Sequence, residues 1–543
     1  MNACPNCGSE LRFDIASQSL LCSFCGAKEN PETFSAFGAS ADEHNAAEEM
    51  DAILYSCPQC GGSIYSTEES VNGFCSYCGS NIMLKSRMVK MKYPRYVAPF
   101  RIDKKSCKEQ YLKHARRAFF APKELKDPEF LERFRGIYMT YWGYNVHMEG
   151  FLSLDGIKEY ISLPWHHTEE YKCMGWVNAE YRGMFFDASS TFEDHYSEQI
   201  APFNYRALVK FNPAYLSGFY ADLPDLDDTV YDENAVTLGK DNLFASSQLR
   251  RSFPGLKFDE DQKERFREAM DARCSAAYTV FFPVWFLSYR NGDNVAYAVV
   301  NGQTGKLVCD LPIDRKKFLT VGLLLSVPIF LLLHFLPAIP LRVLLILSED
   351  FSLLSVIMLL FLLMKVHIRR QMLHDKGWLT KHDAMDYRYR LKVMQDEKRK
   401  KQRQSIPLIL LAGILVIIAA KVAFPIFYNF MAVMLGGLAP LTALILSIIL
   451  EVLILQDTGL ILRYMKKNRV FLLGSLLFTF ASSVYGDYLL FNGLGSDPRM
   501  YAVISGMLLG TVLSQLLAVD QYNQMVCRPL PQLMRKGGDD NAV

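Results

Sequence analysis

Eight cysteines within the first eighty residues have the type and spacing of metal ligands. They form four Cys-x-x-Cys pairs, and a glycine follows each pair directly. The pairs come in two matched sets, with 14 residues between the two pairs of each set: Cys4, Cys7, Cys22 and Cys25 in the first, and Cys57, Cys60, Cys75 and Cys78 in the second. Two such pairs bring four thiolates together, which is the donor set of a tetrahedral zinc site.

This spacing predicts two structural Zn²⁺ ions, each held by one four-cysteine ribbon. The glycine after each pair suits a tight turn whose backbone adopts a positive φ. Disulfides are the first alternative, and they need an oxidising compartment. Redox pairs are the second, and they normally belong to a βαβ unit, a pattern that does not surround these cysteines. The remaining cysteines are scattered and are interpreted as unpaired: Cys107, Cys173, Cys274, Cys309 and Cys527.

Short strands must position the four cysteine turns. Residues 11–15 alternate like a strand, and residues 63–65 hold the same place in the second set. Neither ribbon has enough apolar residues for a core, so metal binding should supply most of its folding energy. The predicted domains are ribbon 1 over 1–29 and ribbon 2 over 54–84, joined by a flexible acidic linker over 30–53.

Charge argues against the nucleic-acid partner that zinc ribbons invite. Residues 1–80 carry two cations, Arg12 and Lys28, against eleven Asp and Glu, a net charge of −9 before metal. Binding to phosphates depends on Lys and Arg, so an acidic ribbon pair favours a protein partner and makes nucleic acid unfavourable. Residues 85–126 are strongly basic instead. That segment is compatible with docking the acidic ribbons, an anionic membrane surface or a nucleic acid, or with an ordinary solvated face.

Long apolar runs begin near residue 318 and predict a membrane domain. Six runs approach or exceed the span of a bilayer: 318–336, 351–366, 406–424, 431–455, 470–490 and 500–519. Lys and Arg collect in alternate loops, above all in 367–404, which places those loops and both termini in the cytoplasm. No signal peptide is expected at the Met-Asn-Ala-Cys start. The sequence thus predicts a six-helix transmembrane domain over 318–520 in a bacterial inner membrane, with a cytoplasmic tail over 521–543.

Residues 93–312 are predicted to form a cytoplasmic α+β domain. Helices are expected over 104–120 and 258–274, aromatic strands over 137–146 and 278–289, and a hairpin over 296–307. The fold class is therefore multi-domain: two small β ribbons, an α+β domain and an all-α polytopic transmembrane domain. His166-His167 and the aspartates at 222–228 lack the spacing of metal motifs and are interpreted as exposed loops. No phosphate-binding loop or nucleophile elbow is present.

The chain resembles a family of bacterial membrane proteins described as TFIIB-type zinc ribbon-containing, some of which are mislabelled as primosomal helicases. The resemblance covers residues 1–312 and rests on these segments: Cys-Pro-x-Cys-Gly with Leu11–Asp14, 98–100, Gly136–Trp142, Tyr215–Tyr220 and 300–306. Thr140 stands where the family usually has proline. The resemblance implies no established enzymatic activity. It also implies a role beside SPFH-type or phage-shock-type membrane-stress partners, since some members are similar to proteins that work there.

These observations predict a non-enzymatic zinc protein of the membrane whose ribbons recruit or sense a protein partner. Two other functions stay open at the level of sequence. One is a small-solute transporter with a regulatory zinc head, for which the intramembrane ionisable residues would be His334, Lys421, Glu451 and Asp487. The other is a membrane-tethered nucleic-acid-binding protein that uses the basic segment 85–126. The sequence predicts neither the partner nor the oligomeric state.

Overall fold

A computed structural model gives the architecture of most of the chain. It describes residues 3–34, 49–66, 74–81, 85–162, 165–189, 194–222, 224–244, 247–335, 469–491 and 496–529, together with isolated positions between 341 and 379. The predicted spans over 406–424 and 431–455, the basic loop 367–404 apart from residues 378–379, and most of the tail lie outside the described residues.

The described residues contain eighteen strands, most of them short. The strands are β1 (Leu11–Asp14), β2 (Ser19–Cys22), β3 (Lys28–Glu29), β4 (Glu49–Ser56), β5 (Ser63–Ser66), β6 (Lys85–Lys92), β7 (Tyr96–Val97), β8 (Arg135–Ser162), β9 (Trp165–Asp187), β10 (Val209–Lys210), β11 (Tyr220–Ala221), β12 (Lys257–Phe258), β13 (Asp271–Cys274), β14 (Tyr278–Asn291), β15 (Asn294–Asn301), β16 (Leu307–Cys309), β17 (Trp378–Leu379) and β18 (Arg528–Pro529).

The helices are interspersed with these strands along the chain. They are α1 (Lys104–Arg117), α2 (Pro128–Leu131), α3 (Asp194–Ile200), α4 (Asp232–Leu243), α5 (Ser247–Ser252), α6 (Glu260–Ala269), α7 (Arg315–Phe335), α8 (Arg469–Phe491) and α9 (Asp497–Val526). In α1, buried side chains recur every four residues at Cys107, Tyr111 and Ala115, so one stripe of the helix faces the core.

Fifteen of these strands form one large sheet, centred on β8 and β14. The two strands pair antiparallel from Tyr278 opposite Gly143 to Phe286 opposite Arg135. Their aromatic and β-branched residues suit a pleated surface that is covered on both sides, and β14 is buried from Thr279 to Tyr289. Beyond this centre, β8 and β9 continue together as a long hairpin whose last pair is Ser162 and Trp165.

The two ribbons join this body in different ways. Strands β1, β2 and β3 form their own three-stranded sheet. Strands β4 and β5 belong to the large sheet instead, because Tyr65 of β5 pairs with Ala221 of β11. The last five residues of the predicted linker, 49–53, lie in β4. There Glu49 and Asp51 occupy register positions opposite Lys92 and Lys90 of the basic strand β6.

Aromatic side chains dominate the core on both faces of the sheet. One cluster spans ribbon 1, α1 and the start of β8, where Phe100 stacks on Phe219 at 4.4 Å between ring centroids. A second cluster lies on the other face, where Phe203 stacks on Phe282 at 4.5 Å. A third cluster packs α4 and α6 against β8 and β9.

The prediction of an all-α polytopic transmembrane domain over 318–520 is wrong. Across the described residues the protein is mainly a β-sheet within an α+β body, and one helix, Asp497–Gln524 of α9, is long and apolar enough to cross a membrane. The run 470–490 does form a helix, α8, but that helix packs along α9. Their interface buries polar groups, including Ser514, whose hydroxyl donates to Ser475 at 3.1 Å. The length of an apolar run does not distinguish a helix packed on its neighbours from one that spans lipid.

The secondary-structure predictions for residues 93–312 were more accurate than the transmembrane prediction. Helix α1 begins at Lys104 as predicted and ends at Arg117. Strands β8 and β14 contain the two predicted aromatic strands, and β15 and β16 form the predicted hairpin. The helix predicted over 258–274 is shorter, because α6 ends at Ala269 and residues 271–274 form β13.

Candidate metal centres

All four cysteine turns have the same backbone geometry. In each turn the N–H of the glycine donates to the carbonyl of the first cysteine: Gly8 to Cys4, Gly26 to Cys22, Gly61 to Cys57 and Gly79 to Cys75, at 2.8–3.0 Å. The glycine φ angles are +71°, +72°, +78° and +69°. A side chain is strained at such angles, so glycine is the residue suited to this position of each turn.

The structure brings the eight predicted cysteines into two groups of four, and each group could hold one metal ion. In the first group, the Sγ atoms of Cys4 and Cys25 are 3.6 Å apart and those of Cys7 and Cys22 are 3.4 Å apart. In the second group the sulfurs of Cys57 and Cys78, and those of Cys60 and Cys75, are each 3.7 Å apart.

These distances fit a tetrahedral metal site better than a disulfide. Four sulfurs at about 2.3 Å from a central Zn²⁺ would lie roughly 3.8 Å from one another. A disulfide requires about 2.05 Å between its sulfurs. None of the eight cysteines forms a disulfide. The donor set of each group is four sulfurs, which soft and borderline metals such as zinc prefer.

The two centres differ sharply in their exposure to solvent. All four cysteines of the second centre are buried. In the first centre, Cys4 and Cys22 are buried while Cys7 and Cys25 are exposed. One side of ribbon 1 therefore faces the body, and the other side faces solvent.

Ribbon 2 is locked into the body through the turn that contains Cys75 and Cys78. The hydroxyl of Tyr77, within this turn, donates to the carboxylate of Asp222 at 2.7 Å. The carbonyl of Tyr77 accepts a hydrogen bond from the hydroxyl of Tyr297 at 2.6 Å. Burial raises the pKa of Tyr297, so this hydroxyl remains a donor at neutral pH.

A buried cation lies beside the second centre. The guanidinium of Arg135 lies 4.0 Å from the centre of the Phe74 ring and 5.1 Å from the centre of the Tyr220 ring. Phe74 directly precedes the metal-ligand candidate Cys75 in the sequence. Burial lowers the pKa of Arg135, whereas the nearby Tyr220 and Cys75 raise it. A guanidinium stays charged in proteins, so Arg135 offsets part of the negative charge of a four-thiolate centre.

Ribbon 1 rests on the body through its strands. Phe13 of β1 packs against Tyr215 with 5.3 Å between ring centroids, and its backbone N–H donates to the carbonyl of Ser217 at 3.1 Å. The side-chain amide of Gln18 donates to the carbonyl of Phe100 at 2.8 Å. These contacts attach ribbon 1 to the aromatic core at the start of β8.

Hydrogen bonds between the thiols shift their pKa values in the second centre. In the second centre, hydrogen bonding to Cys60 lowers the pKa of Cys57, and hydrogen bonding to Cys57 raises the pKa of Cys75. The first thiolate to form is thus stabilised by thiols that still carry protons. Metal binding releases those protons, so affinity for the metal must rise with pH.

Other residues considered at the level of sequence do not form metal clusters in the described part of the chain. His166 and His167 lie in the exposed outer half of β9, where the ring of His167 stacks on Tyr160. Asp222 is buried and supports Tyr77 rather than an ion. The basic segment is divided between β6 and α1, and the ammonium of Lys108 bonds to Glu132. Sequence reasoning missed Tyr77 and Arg135 and interpreted Asp222 wrongly as part of an exposed loop, because the contacts of these residues join distant parts of the chain.

Fold and site together define a class of protein: an α+β body whose N-terminal region carries two four-cysteine clusters that fit zinc ribbons. The chain is similar to a protein of Bacillus subtilis (strain 168), the uncharacterized protein YdjG. The two are 26% identical over 325 residues, which is 58% of this chain and 90% of that protein. No family model matches the chain. No solved structure matches it either.

Proposed function

We propose that this protein is a non-enzymatic zinc protein whose ribbon 1 recruits a protein partner. The observation that carries this proposal is the closure of both centres. Each places four cysteine sulfurs within 4.8 Å of one another. Four thiolates complete the tetrahedral shell of zinc, so no position remains for a substrate or an activated water. Both ions then have a structural role.

Recruitment is supported by the way ribbon 1 is presented. Its strands are fixed to the body, and its outer side, with Cys7 and Cys25, is exposed. The acidic charge of residues 1–80, two cations against eleven anions, disfavours phosphate-rich partners. A rigid, acidic and exposed surface is suited to a protein with a complementary basic surface.

The resemblance to TFIIB-type zinc ribbon-containing proteins of bacteria supports the same proposal. One feature of the structure agrees with it, namely the doubled four-cysteine clusters. We extend the proposal to a role beside membrane-stress partners of the SPFH or phage-shock type, which that resemblance implies.

We also propose that α9 attaches the body to a membrane. Between Arg499 and Asp520 the helix carries no charged residue over 20 positions, which is about 30 Å of helix. Leu509 and Val512 are exposed on it at 66% and 54%. Flotation of the full chain on a density gradient should place it with vesicles, and Leu509→Lys should weaken that association. A full chain that stays at the bottom of the gradient with vesicles present would refute attachment.

The recruitment proposal is tested by affinity purification of the full-length protein from gently solubilised membranes. The test variant is Cys25→Ser, which breaks the exposed centre, and the matched control is Cys274→Ser, a lone cysteine in β13 away from both centres. Elemental analysis should give two zinc ions per chain for the wild type and the control, and one for Cys25→Ser. A stoichiometric protein partner should elute with the wild type and the control only. Identical eluates from all three proteins would contradict recruitment by ribbon 1.

A further inference from the structure

The two ribbons carry an aromatic residue at the same place in the same cysteine turn. Ribbon 1 has Cys-Ser-Phe24-Cys-Gly, and ribbon 2 has Cys-Ser-Tyr77-Cys-Gly. The backbones match as well. The first cysteine of each turn donates to the carbonyl five residues later, Cys22 to Ala27 at 2.9 Å and Cys75 to Ser80 at 2.9 Å. Phe24 and Tyr77 therefore occupy equivalent positions relative to a metal centre.

In ribbon 2 the aromatic residue of this turn, Tyr77, anchors the ribbon on the surface of the body. Tyr77 is 2% exposed. Its ring packs edge-on against Phe286 with 6.1 Å between centroids, and its hydroxyl reaches Asp222. The ring also packs closely on its own ribbon, because a Cβ added at Gly62 would lie 2.5 Å from Cδ2 of Tyr77. The tip of a cysteine turn can thus insert a ring into a fitted pocket.

In ribbon 1 the equivalent ring points into solvent. Phe24 is 81% exposed, and its neighbours Ser23, Cys25 and Gly26 are exposed too. Ribbon 1 does not need this ring for its attachment to the body, since Phe13 and Gln18 provide that attachment from the opposite side. A large exposed ring on a rigid, metal-clamped turn has the character of an interface anchor, because little conformational entropy is lost when it is buried.

The charge of ribbon 1 restricts what can receive this ring. Residues 1–34 contain two cations, Arg12 and Lys28, and four anions, Glu10, Asp14, Glu29 and Glu32. A Zn²⁺ ion with four thiolates adds a formal charge of about −2. Anionic lipid and nucleic acid are repelled by such a surface, and a basic protein surface is attracted. Phenylalanine also lacks the hydroxyl that Tyr77 gives to Asp222, so the receiving pocket needs no buried acceptor.

We propose that Phe24 is the anchor by which ribbon 1 binds its partner, and that the partner is a protein with an apolar pocket rimmed by Lys and Arg. This inference rests on the proposed recruitment function. It adds the contact residue and the chemistry of the partner, with Tyr77 in its own pocket as the template for the bound state.

The first part of the test identifies what contacts position 24. A benzoylphenylalanine photo-crosslinker replaces Phe24 in the full-length protein in its native cells. Trp176, which is 80% exposed on β9, is replaced in the same way as a control of matched exposure. The expected result is one protein adduct specific to position 24. Adducts only with lipid or nucleic acid, an adduct with a second copy of this chain, or the same adducts from both positions would overturn the proposal.

The second part measures the affinity of the purified crosslinked protein for the full chain. We expect Phe24→Ala to raise Kd by about tenfold or more, as loss of a buried aromatic anchor does. Phe24→Tyr should keep most of the affinity, and added salt should weaken binding because the rim contacts are charged. Both variants should retain two metal ions per chain. Unchanged affinity of Phe24→Ala together with lost affinity of Cys25→Ser would refute the anchor and leave recruitment by ribbon 1 standing. Unchanged affinity of both variants would refute both proposals.

Discussion

The side-chain amide of Asn523, in the last turn of α9, is bonded to both backbone groups of Ile313. Its Oδ1 accepts from the N–H of Ile313 at 2.8 Å, and its Nδ2 donates to the carbonyl of Ile313 at 2.8 Å. The hydroxyl of Tyr522 donates to the carbonyl of Leu311 at 3.2 Å, and Arg315 pairs with Asp520 at 3.2 Å. The end of the apolar helix is thus clipped to the segment that leads out of the sheet into α7.

Removing this clip should loosen α9 from the body. Asn523→Ala deletes two hydrogen bonds, each contributing about 0.5–1.5 kcal/mol, so the free energy of unfolding should fall by about 1–3 kcal/mol. Thermal unfolding and limited proteolysis of the solubilised chain measure the effect. Gln524→Ala, one residue further on and exposed, is the control. Equal melting temperatures for the two variants would mean that the clip adds nothing to stability.

The hydroxyl of the buried Tyr77 should contribute more to stability than a hydroxyl added at the equivalent exposed position, Phe24. Tyr77→Phe removes a donor from Asp222, a carboxylate that is 1% exposed, so we expect a loss of about 1–3 kcal/mol in the free energy of unfolding. Phe24→Tyr makes the reverse change at the equivalent exposed position and should leave stability within about 0.5 kcal/mol. Denaturant unfolding of both variants tests the contrast. A Tyr77→Phe protein as stable as the wild type would show that Asp222 is satisfied without this bond.

The two centres should give up their metal in a fixed order. A chelator reaches the exposed Cys7 and Cys25 directly, whereas all four cysteines of the second centre are buried. Release to a chromogenic chelator should therefore have two phases of equal amplitude. Cys25→Ser should abolish the fast phase, and Cys78→Ser should abolish the slow phase. A single phase in the wild type would contradict the difference in access.

Helix α1 should depend on its N-cap in a way that pH reveals. Hydrogen bonds from the hydroxyl and the backbone N–H of Ser106 lower the pKa of Asp103. A carboxyl whose pKa falls on folding adds stability above its ordinary pKa of about 3.9, and that stability is lost as pH falls through the lowered value.

Asp103→Ala should therefore cost about 1 kcal/mol at pH 7. The difference from the wild type should shrink as the pH falls below the ordinary pKa of aspartate. Chemical unfolding at several pH values measures this difference, and Glu109→Ala on the exposed side of the same helix serves as the control. A cost for Asp103→Ala that does not change with pH would point to a role other than capping by a charged group.

Local patterns in the sequence were sufficient to predict the two four-cysteine clusters and much of the secondary structure of the α+β region. The cysteine turns depend on residues within six positions of one another, so their spacing alone predicts the four sulfurs and the positive-φ glycines. The helix predicted from residue 104 likewise agrees with α1 at its first residue. Strand β8 was predicted only to residue 146, because the residues that follow are charged and contain Gly150 and Gly156, which favour a loop.

Contacts across long stretches of chain were not predictable in the same way. Tyr65 and Ala221 pair in the sheet, and nothing in the sequence of either segment predicts this pairing. The contacts of Tyr77 with Asp222 and Tyr297 depend on that pairing. The membrane prediction failed for a related reason. The apolar runs were assessed one at a time, whereas α8 and α9 bury their small and polar residues against each other.

The pairing of β18 with β15 has a consequence for synthesis of the chain. Val295 lies opposite Arg528, so one border of the sheet stays without its final strand until the ribosome has added about 230 more residues. At roughly 5–20 residues per second, that interval lasts on the order of 10–50 s. Strand β16 covers β15 at Ala298–Val300, so throughout this interval the open backbone is that of Asn294 and Val295, which can pair with another nascent chain. Premature termination between residues 310 and 527 would make that exposure permanent, so truncated products of that length should aggregate more readily than the full chain.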